Sequence, residues 1–230
     1  MRNTNSGKLL MLTLVITIVM ACSTAPISQP RETNQAASSP RSAIQADNTK
    51  SSIIRSIDFA NFTYPWVSDF GEPHTSFTLV RGKYSGSPSL LPMDLFSVTY
   101  ADVTGDSLED GIVVLSVLVE RAPAAPHAAY LYAIEKNKPR LLWAFATGDR
   151  SDGGLRRIYG DDGKLLIELY GKGKVVGADL YADDGSDAEV PYPYYFTRTR
   201  YEWTGTKFQQ IAPSEMLSDP DKYGAPIMRP

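Results

Sequence analysis

The fold of this 230-residue chain is decided by residues 96–119, which read FSVTYADVTGDSLEDGIVVLSVLV. The stretch predicts a strand, an acidic loop over residues 102–110, and a second strand with almost no polar residue. In the second strand, Ile112 and Val114 share one face, and Val113 and Leu115 share the other. Apolar residues on both faces predict a strand that is buried on both sides of a sheet.

Further strand candidates follow toward the C-terminus. Residues 155–159 and 164–170 flank Gly-Asp-Asp-Gly at 160–163, a hairpin signal because Asp and Gly tolerate positive φ. Residues 175–181 and the alternating residues 195–203 predict two more strands. In total, nine or ten short strands predict an all-β antiparallel meander. A sandwich, an open barrel and a propeller-like sheet remain as alternatives for its architecture.

The two ends of the chain differ in composition from these strands. Residues 1–8 carry two basic residues and no acid, and residues 9–20 are apolar apart from two threonines. Twelve residues are too few to span a bilayer, which needs about 20, but they suit the core of a secretion signal. We predict a signal peptide over residues 1–21 and a globular domain over residues 53–213. Residues 214–230 are predicted to be a Pro-rich tail that begins with one helical turn.

Cys22 is the only cysteine, so it forms neither an internal disulfide nor a CxxC metal site. With the preceding Val19-Met20-Ala21 it resembles the lipobox of bacterial lipoproteins. The resemblance implies cleavage before Cys22, lipid on its sulfur, and a membrane-anchored protein of the cell envelope. The residue after the cysteine is Ser23 and not the Asp that would direct a lipoprotein elsewhere. By the same resemblance, this implies the outer membrane facing the periplasm if the organism has two membranes. The alternative is an ordinary secretory signal with an incidental cysteine.

Residues 22–52 connect this motif to the predicted domain. They are rich in Ser, Thr, Pro, Gln, Asn and Ala, so they bury too little apolar surface to order themselves. We expect a disordered tether with a root-mean-square reach of about 30 Å. Loss of residues 1–21 removes two basic residues, which takes the formal net charge from −3 to −5. Because the chain has no basic stripe, no nucleic-acid partner is expected.

The acidic loop has the spacing of a calcium loop. Asp102, Thr104, Asp106 and Asp110 stand at positions 1, 3, 5 and 9, and Leu108 stands at position 7, where a backbone carbonyl is the usual ligand. Calcium takes about six to eight oxygen ligands, which alternate residues of a tight loop supply. The spacing therefore predicts a calcium site at these five residues.

Two positions of the loop favour a different interpretation. Thr104 supplies a neutral oxygen where a carboxylate or amide is usual, and Ser107 stands where glycine makes the sharp turn easy. The alternative is a metal-free acidic turn whose side chains accept hydrogen bonds from nearby backbone N–H groups. The loop resembles those of FG-GAP and VCBS repeats, and the ADVTGDG segment of LppP/LprE-type and other uncharacterised envelope lipoproteins. This resemblance implies that a bound ion would be structural.

A second candidate site is the Arg-rich segment over residues 147–157, TGDRSDGGLRR. Arg150, Arg156 and Arg157 predict an anion or carboxylate site, because guanidinium offers two parallel donors. The alternative is a set of exposed ion pairs that stabilise turns.

Two weaker candidates complete the polar and aromatic features. Asp183, Asp184 and Asp187 form a further acidic loop. Residues 191–196, PYPYYF, with Tyr64 and Trp66, predict an aromatic platform for sugar rings, although core packing is the alternative.

Catalysis finds little support in the sequence. His74 and His127 lie beside prolines in loop-like contexts, and GxSxG, HExxH and phosphate-binding glycine loops are absent. We expect a non-enzymatic binding or scaffold domain whose partner is an envelope protein or a glycan. The alternative is a calcium-dependent carbohydrate-binding module, or a glycosidase that uses two carboxylates.

Overall fold

The computed structural model describes residues 53–67, 76–88, 90–119, 125–151, 153–177 and 194–219. These residues form an all-β fold of twelve strands, which confirms the predicted class. The predicted signal peptide, Cys22, the tether, Asp183, Asp184, Asp187 and residues 191–193 of the PYPYYF segment lie outside the described residues. Of the other half of that segment, Tyr194 and Tyr195 are 50% and 37% exposed, and Phe196 is buried. Within the described ranges, no helix has the length and apolar character needed to cross a membrane.

The first sheet is a five-stranded antiparallel meander in chain order. Its strands are β3 Lys83–Tyr84, β4 Met93–Ala101, β5 Asp110–Val117, β6 His127–Glu135 and β7 Lys138–Ala146. The β6–β7 connection has only two residues, Lys136 and Asn137, with φ of 50° and 61°. Two successive positive φ values match the twist of a tight hairpin, which explains the short connection.

The second sheet is also antiparallel, and two strands share one of its edges. It contains β8 Leu155–Asp161, β9 Lys164–Tyr170, β10 Tyr195–Trp203, β11 Phe208–Gln210 and β12 Glu215–Ser218. Strand β11 pairs with the last three residues of β10, whereas β12 pairs with its first four residues. The predicted β8–β9 hairpin is present, and Asp162 and Gly163 in its turn have φ of 49° and 65°.

A small hairpin covers the face of the first sheet that points away from the second sheet. Strands β1 Thr63–Pro65 and β2 Ser76–Thr78 pair with each other after a 3-10 turn over Phe59–Asn61. The Asp58 side chain begins that turn by accepting hydrogen bonds from the backbone N–H groups of Ala60 and Asn61.

Strand β5 is buried on both faces, as its sequence predicts. Ile112 and Val114 belong to the core between the two five-stranded sheets. Val113 and Leu115 belong to the core beneath β1 and β2. Full burial of one such side chain contributes about 1.5–3 kcal/mol. The apolar run extends two residues beyond the strand, to Leu118 and Val119, which are 42% and 40% exposed.

Two sequence predictions about local structure are wrong. Residues 215–218 form strand β12 instead of continuing a helical turn, because they pair with the open edge of β10. This strand lies in the segment that was predicted to be the tail. Residues 175–177 are not in a strand, because Gly173 and Gly177 adopt positive φ and turn the chain there. The rest of that predicted strand lies outside the described residues.

Candidate functional site

The acidic loop connects β4 to β5, and its last carboxylate is buried. Asp110 is 2% exposed at the start of β5. Its Oδ2 accepts hydrogen bonds from the Val103 N–H at 3.0 Å, the Thr104 N–H at 3.1 Å and the Thr104 hydroxyl at 3.1 Å. The side chain therefore fixes the beginning of the loop to the beginning of the next strand.

The other two aspartates also bind backbone. Asp102 Oδ1 accepts from the N–H groups of Thr104 at 3.1 Å and Gly105 at 2.6 Å. Its Oδ2 accepts from the Ser107 N–H at 2.8 Å. Asp106 Oδ1 accepts from the Leu108 N–H at 2.9 Å. Ser107 has a φ of 68°, so it adopts the left-handed conformation that glycine usually supplies at this position.

These hydrogen bonds are the ones that the acidic-turn alternative predicts. Oxygens of Asp102, Asp106 and Asp110 that the calcium hypothesis assigns to an ion accept N–H groups of the loop itself. Among the described residues, no group of three or more His, Cys, Asp or Glu side chains is placed to hold a metal ion. The carboxylate oxygens, in the positions that they occupy here, do not form a calcium site. Calcium binding by these aspartates with Thr104 and Leu108 stays a prediction, and it requires a rearranged loop.

Burial dominates the electrostatics of Asp110. Loss of hydration raises its pKa to about 7, although the hydrogen bonds from Val103 and Thr104 favour the charged form. The nearby carboxylates of Asp106 and Asp102 raise the pKa further. The group therefore titrates near neutral pH.

The loop packs directly against the β8–β9 hairpin of the second sheet. A Cβ atom added at Gly160 would lie 2.7 Å from the Ala101 Cβ and 2.7 Å from the Asp102 carbonyl oxygen. A Cβ atom at Gly163 would lie 2.9 Å from the Gly105 Cα. The acidic loop and the Gly-Asp-Asp-Gly turn at residues 160–163 are distant in the sequence, but they contact each other and so connect the two sheets.

An ion pair fixes the other side of the loop. Arg55 donates from Nε to Glu109 Oε2 at 2.6 Å and from Nη2 to Glu109 Oε1 at 2.6 Å. The guanidinium also lies 4.7 Å from the centre of the Tyr100 ring. The hydrogen bond from Arg55 is the main reason that the pKa of Glu109 is lowered. This pair connects the first described turn of the domain to the end of the acidic loop.

The three arginines of the second candidate site lie over three different aromatic rings. Arg150 lies 4.8 Å from the Tyr170 ring centre, Arg157 lies 4.7 Å from that of Tyr159, and Arg156 lies 4.1 Å from that of Phe196. Strand β8 has an irregular register between Leu155 and Arg157; Arg156 within it is buried, whereas Arg157 is exposed. The anion site at these three residues stays a prediction.

Arg156 is part of a buried ion cluster that sequence reasoning missed. Its Nη1 donates to Glu168 Oε2 at 2.5 Å, and its Nη2 donates to Asp219 Oδ1 at 3.3 Å. Glu168 Oε1 accepts from Arg198 Nε at 2.9 Å and Nη2 at 2.7 Å, and from the Tyr159 hydroxyl at 3.3 Å. Glu168 is 0% exposed. One signal was available, because Glu168 is the only acid in the apolar strand KLLIELY.

His127 and Tyr64, two further residues singled out in the sequence, are both buried. His127 begins β6 rather than lying in a loop, and burial lowers its pKa to about 4. Its ring meets Phe96 edge-on at 5.1 Å. Tyr64 is 0% exposed and donates to the Phe59 carbonyl, so its ring belongs to the core and not to an open platform.

The sequence was compared with protein-family models and with curated proteins. No protein-family model matches the chain, and no curated protein matches it.

Proposed function

We propose that the protein is a lipid-anchored lipoprotein of the cell envelope whose β domain acts as a non-enzymatic binding or scaffold domain. The observation that carries the proposal is the Val19-Met20-Ala21-Cys22 motif behind a short apolar run, at the only cysteine of the chain. Further support for a non-enzymatic domain comes from its charged groups, which bind other parts of the protein itself. The carboxylates of the acidic loop hold its backbone, and Glu168 holds two guanidinium groups.

Replacement of the lipidated residue tests the anchor. In a Cys22→Ala variant, we expect the protein to leave the membrane fraction, because the sulfur that would carry the lipid is gone. Ser28→Ala, a change in the same predicted tether, is the matched control and should remain with the membrane. Retention of Cys22→Ala in the membrane fraction would contradict the proposal.

The binding role is tested in intact envelopes. We expect chemical crosslinking followed by purification to recover the same partner repeatedly from cells with the anchored protein. Cells with the Cys22→Ala variant provide the control, because the variant lacks the predicted location. If repeated purifications recover no common partner, the binding role is wrong.

A calcium-dependent carbohydrate-binding module or a carboxylate-based glycosidase is the second candidate. It is favoured by one observation, the oxygen-bearing residues at positions 1, 3, 5 and 9 of the acidic loop. We expect millimolar calcium to raise the melting temperature and a chelator to lower it if this candidate is correct. Identical melting in both conditions, together with silence on a glycan array and in a hydrolysis assay, would eliminate it.

A further inference from the structure

Four charged side chains meet on one face of the second sheet. In β9, Leu165, Ile167 and Leu169 point into the core between the sheets, so Glu168 points to the opposite face. There Arg156 and Arg198 contribute two positive charges, while Glu168 and Asp219 contribute two negative charges. The four groups in direct contact are therefore neutral together.

These four side chains do not have equal support from the fold. Arg156, Glu168 and Arg198 belong to β8, β9 and β10, which form the continuous part of the sheet. Asp219 follows β12, a strand that pairs with four residues of β10, and its own N–H donates to the Tyr194 carbonyl at 2.7 Å. Three of the four side chains of β12 are exposed. The backbone hydrogen bonds of this short edge strand and of Asp219 itself hold the carboxylate beside Arg156.

We propose that β12 and Asp219 form a strap that closes an oxyanion-binding site on Arg156 and Arg198. When the strap detaches, Glu168 still holds both guanidinium groups, because it contacts Arg156 Nη1 and Arg198 Nε and Nη2. Arg156 Nη2 loses the Asp219 oxygen that it contacts in the closed form. The three side chains that remain carry one net positive charge.

The released donor is suited to a phosphate or a carboxylate group. A guanidinium presents its N–H groups in a fixed planar fork, and its charge strengthens hydrogen bonds to oxyanions. Asp219 already places a carboxylate oxygen 3.3 Å from Arg156 Nη2, so it marks where a ligand oxygen would lie. Because Asp219 is covalently attached and already lies beside Arg156, a free oxyanion must compete with it.

The Asp219→Asn variant tests the strap directly. The asparagine keeps nearly the same size but removes the competing charge. In the full-length protein in detergent, we expect sodium phosphate at constant ionic strength to raise the melting temperature by about 4 °C at ten times its Kd. Sodium acetate is the carboxylate probe, and sodium chloride measures the general salt effect. The wild-type protein should respond much less to either oxyanion.

The matched control is Glu215→Gln on the same strand. Glu215 lies 3.8 Å from Arg198, but its side chain is 65% exposed, so it does not fill the buried position. We expect Glu215→Gln to respond like the wild-type protein. Equal responses of the wild-type protein and both variants would overturn the proposal.

Hydrogen exchange of the wild-type protein provides a second test that does not depend on the stability of a variant. A ligand that binds only the open form increases the population of that form. We therefore expect the β12 amides to exchange at least about twofold faster when phosphate replaces chloride at a concentration near its Kd. Unchanged or slower exchange would contradict the strap. The inference rests on the proposed binding role, but neither experiment requires the partner, so its failure is distinguishable from a failure of the anchoring and crosslinking tests.

Discussion

Gly160→Ala measures how much stability depends on the contact between the acidic loop and the second sheet. The new Cβ would lie 2.7 Å from the Ala101 Cβ and 2.7 Å from the Asp102 carbonyl oxygen. Ordinary contact begins at 3.4 Å, so the loop and β8 must separate by about 0.7 Å. The Asp102 oxygen belongs to the backbone, so no side-chain rotation can relieve it. Because overpacking costs about 1–3 kcal/mol, we expect a loss near the upper end of that range.

A second substitution, measured by urea unfolding, distinguishes this steric effect from the general effect of adding a methyl group. Ala101→Gly removes one of the two close atoms, so we expect the double variant with Gly160→Ala to recover part of the lost free energy of unfolding. Gly205→Ala is the matched control, because nothing lies within 4 Å of its added Cβ and only its φ of 90° is strained. Ala101→Gly should be additive with this control.

A small effect of Gly160→Ala would contradict the close contact between the loop and β8. If the free energy of unfolding of Gly160→Ala is within about 0.5 kcal/mol of wild type, the loop is not docked on β8. A double variant that shows no coupling between Ala101 and Gly160 would lead to the same conclusion, because the two atoms would then not be in contact.

The remaining predictions concern buried charges. Asp110 has its pKa raised from 3.8 to about 7, so the stability that it contributes at low pH is lost as pH rises through about 7. His127 has its pKa lowered from 6.5 to about 4, so its contribution is lost as pH falls below 6.5. Between pH 4 and 6.5 the two effects oppose each other, and each changes the free energy of unfolding by at most about 1.4 kcal/mol per pH unit. We therefore expect urea-unfolding stability to rise with pH in Asp110→Asn and to fall with pH in His127→Gln; equal slopes would contradict both assignments. Glu168→Gln should lower the free energy of unfolding by about 3–5 kcal/mol, because the partly buried Arg198 loses its closest carboxylate and the buried Arg156 keeps only Asp219. Exposed Glu215→Gln should change it by about 0.5 kcal/mol or less in the same assay.

Features that depend on local patterns were predictable from the sequence. Strand β5 has apolar residues at both parities, and a strand that is covered on both faces removes all of them from water. The β8–β9 turn was predictable because Asp162 and Gly163 tolerate the positive φ that a tight hairpin requires. In both cases neighbouring residues contain the physical cause of the structure.

Features that depend on distant pairing were not predictable. Residues 215–218 have no strong local preference, and they become a strand because the first half of β10 has an open edge. Gly105 and Gly163 meet although 58 residues separate them, and neither turn contains a signal for the other. The ion cluster joins residues of four strands or strand ends, so only the isolated acid Glu168 indicated it beforehand.

The acidic loop shows why ligand spacing alone does not decide between a metal site and a structural turn. Asp110 at position 9 is the smaller obstacle to calcium, because that position often contacts the ion through water and can keep its hydrogen bonds. Asp102 at position 1 is the larger obstacle, because both of its oxygens already accept N–H groups, from Thr104, Gly105 and Ser107. A backbone donor left unpaired costs about 1–3 kcal/mol if it is buried and less if water replaces the acceptor. Gly105 and Ser107 are exposed, so water can satisfy their N–H groups if Asp102 turns toward an ion. Calcium would thus have to compete with hydrogen bonds that hold an exposed turn, whereas the hydrogen bonds of Asp110 hold the buried connection to β5.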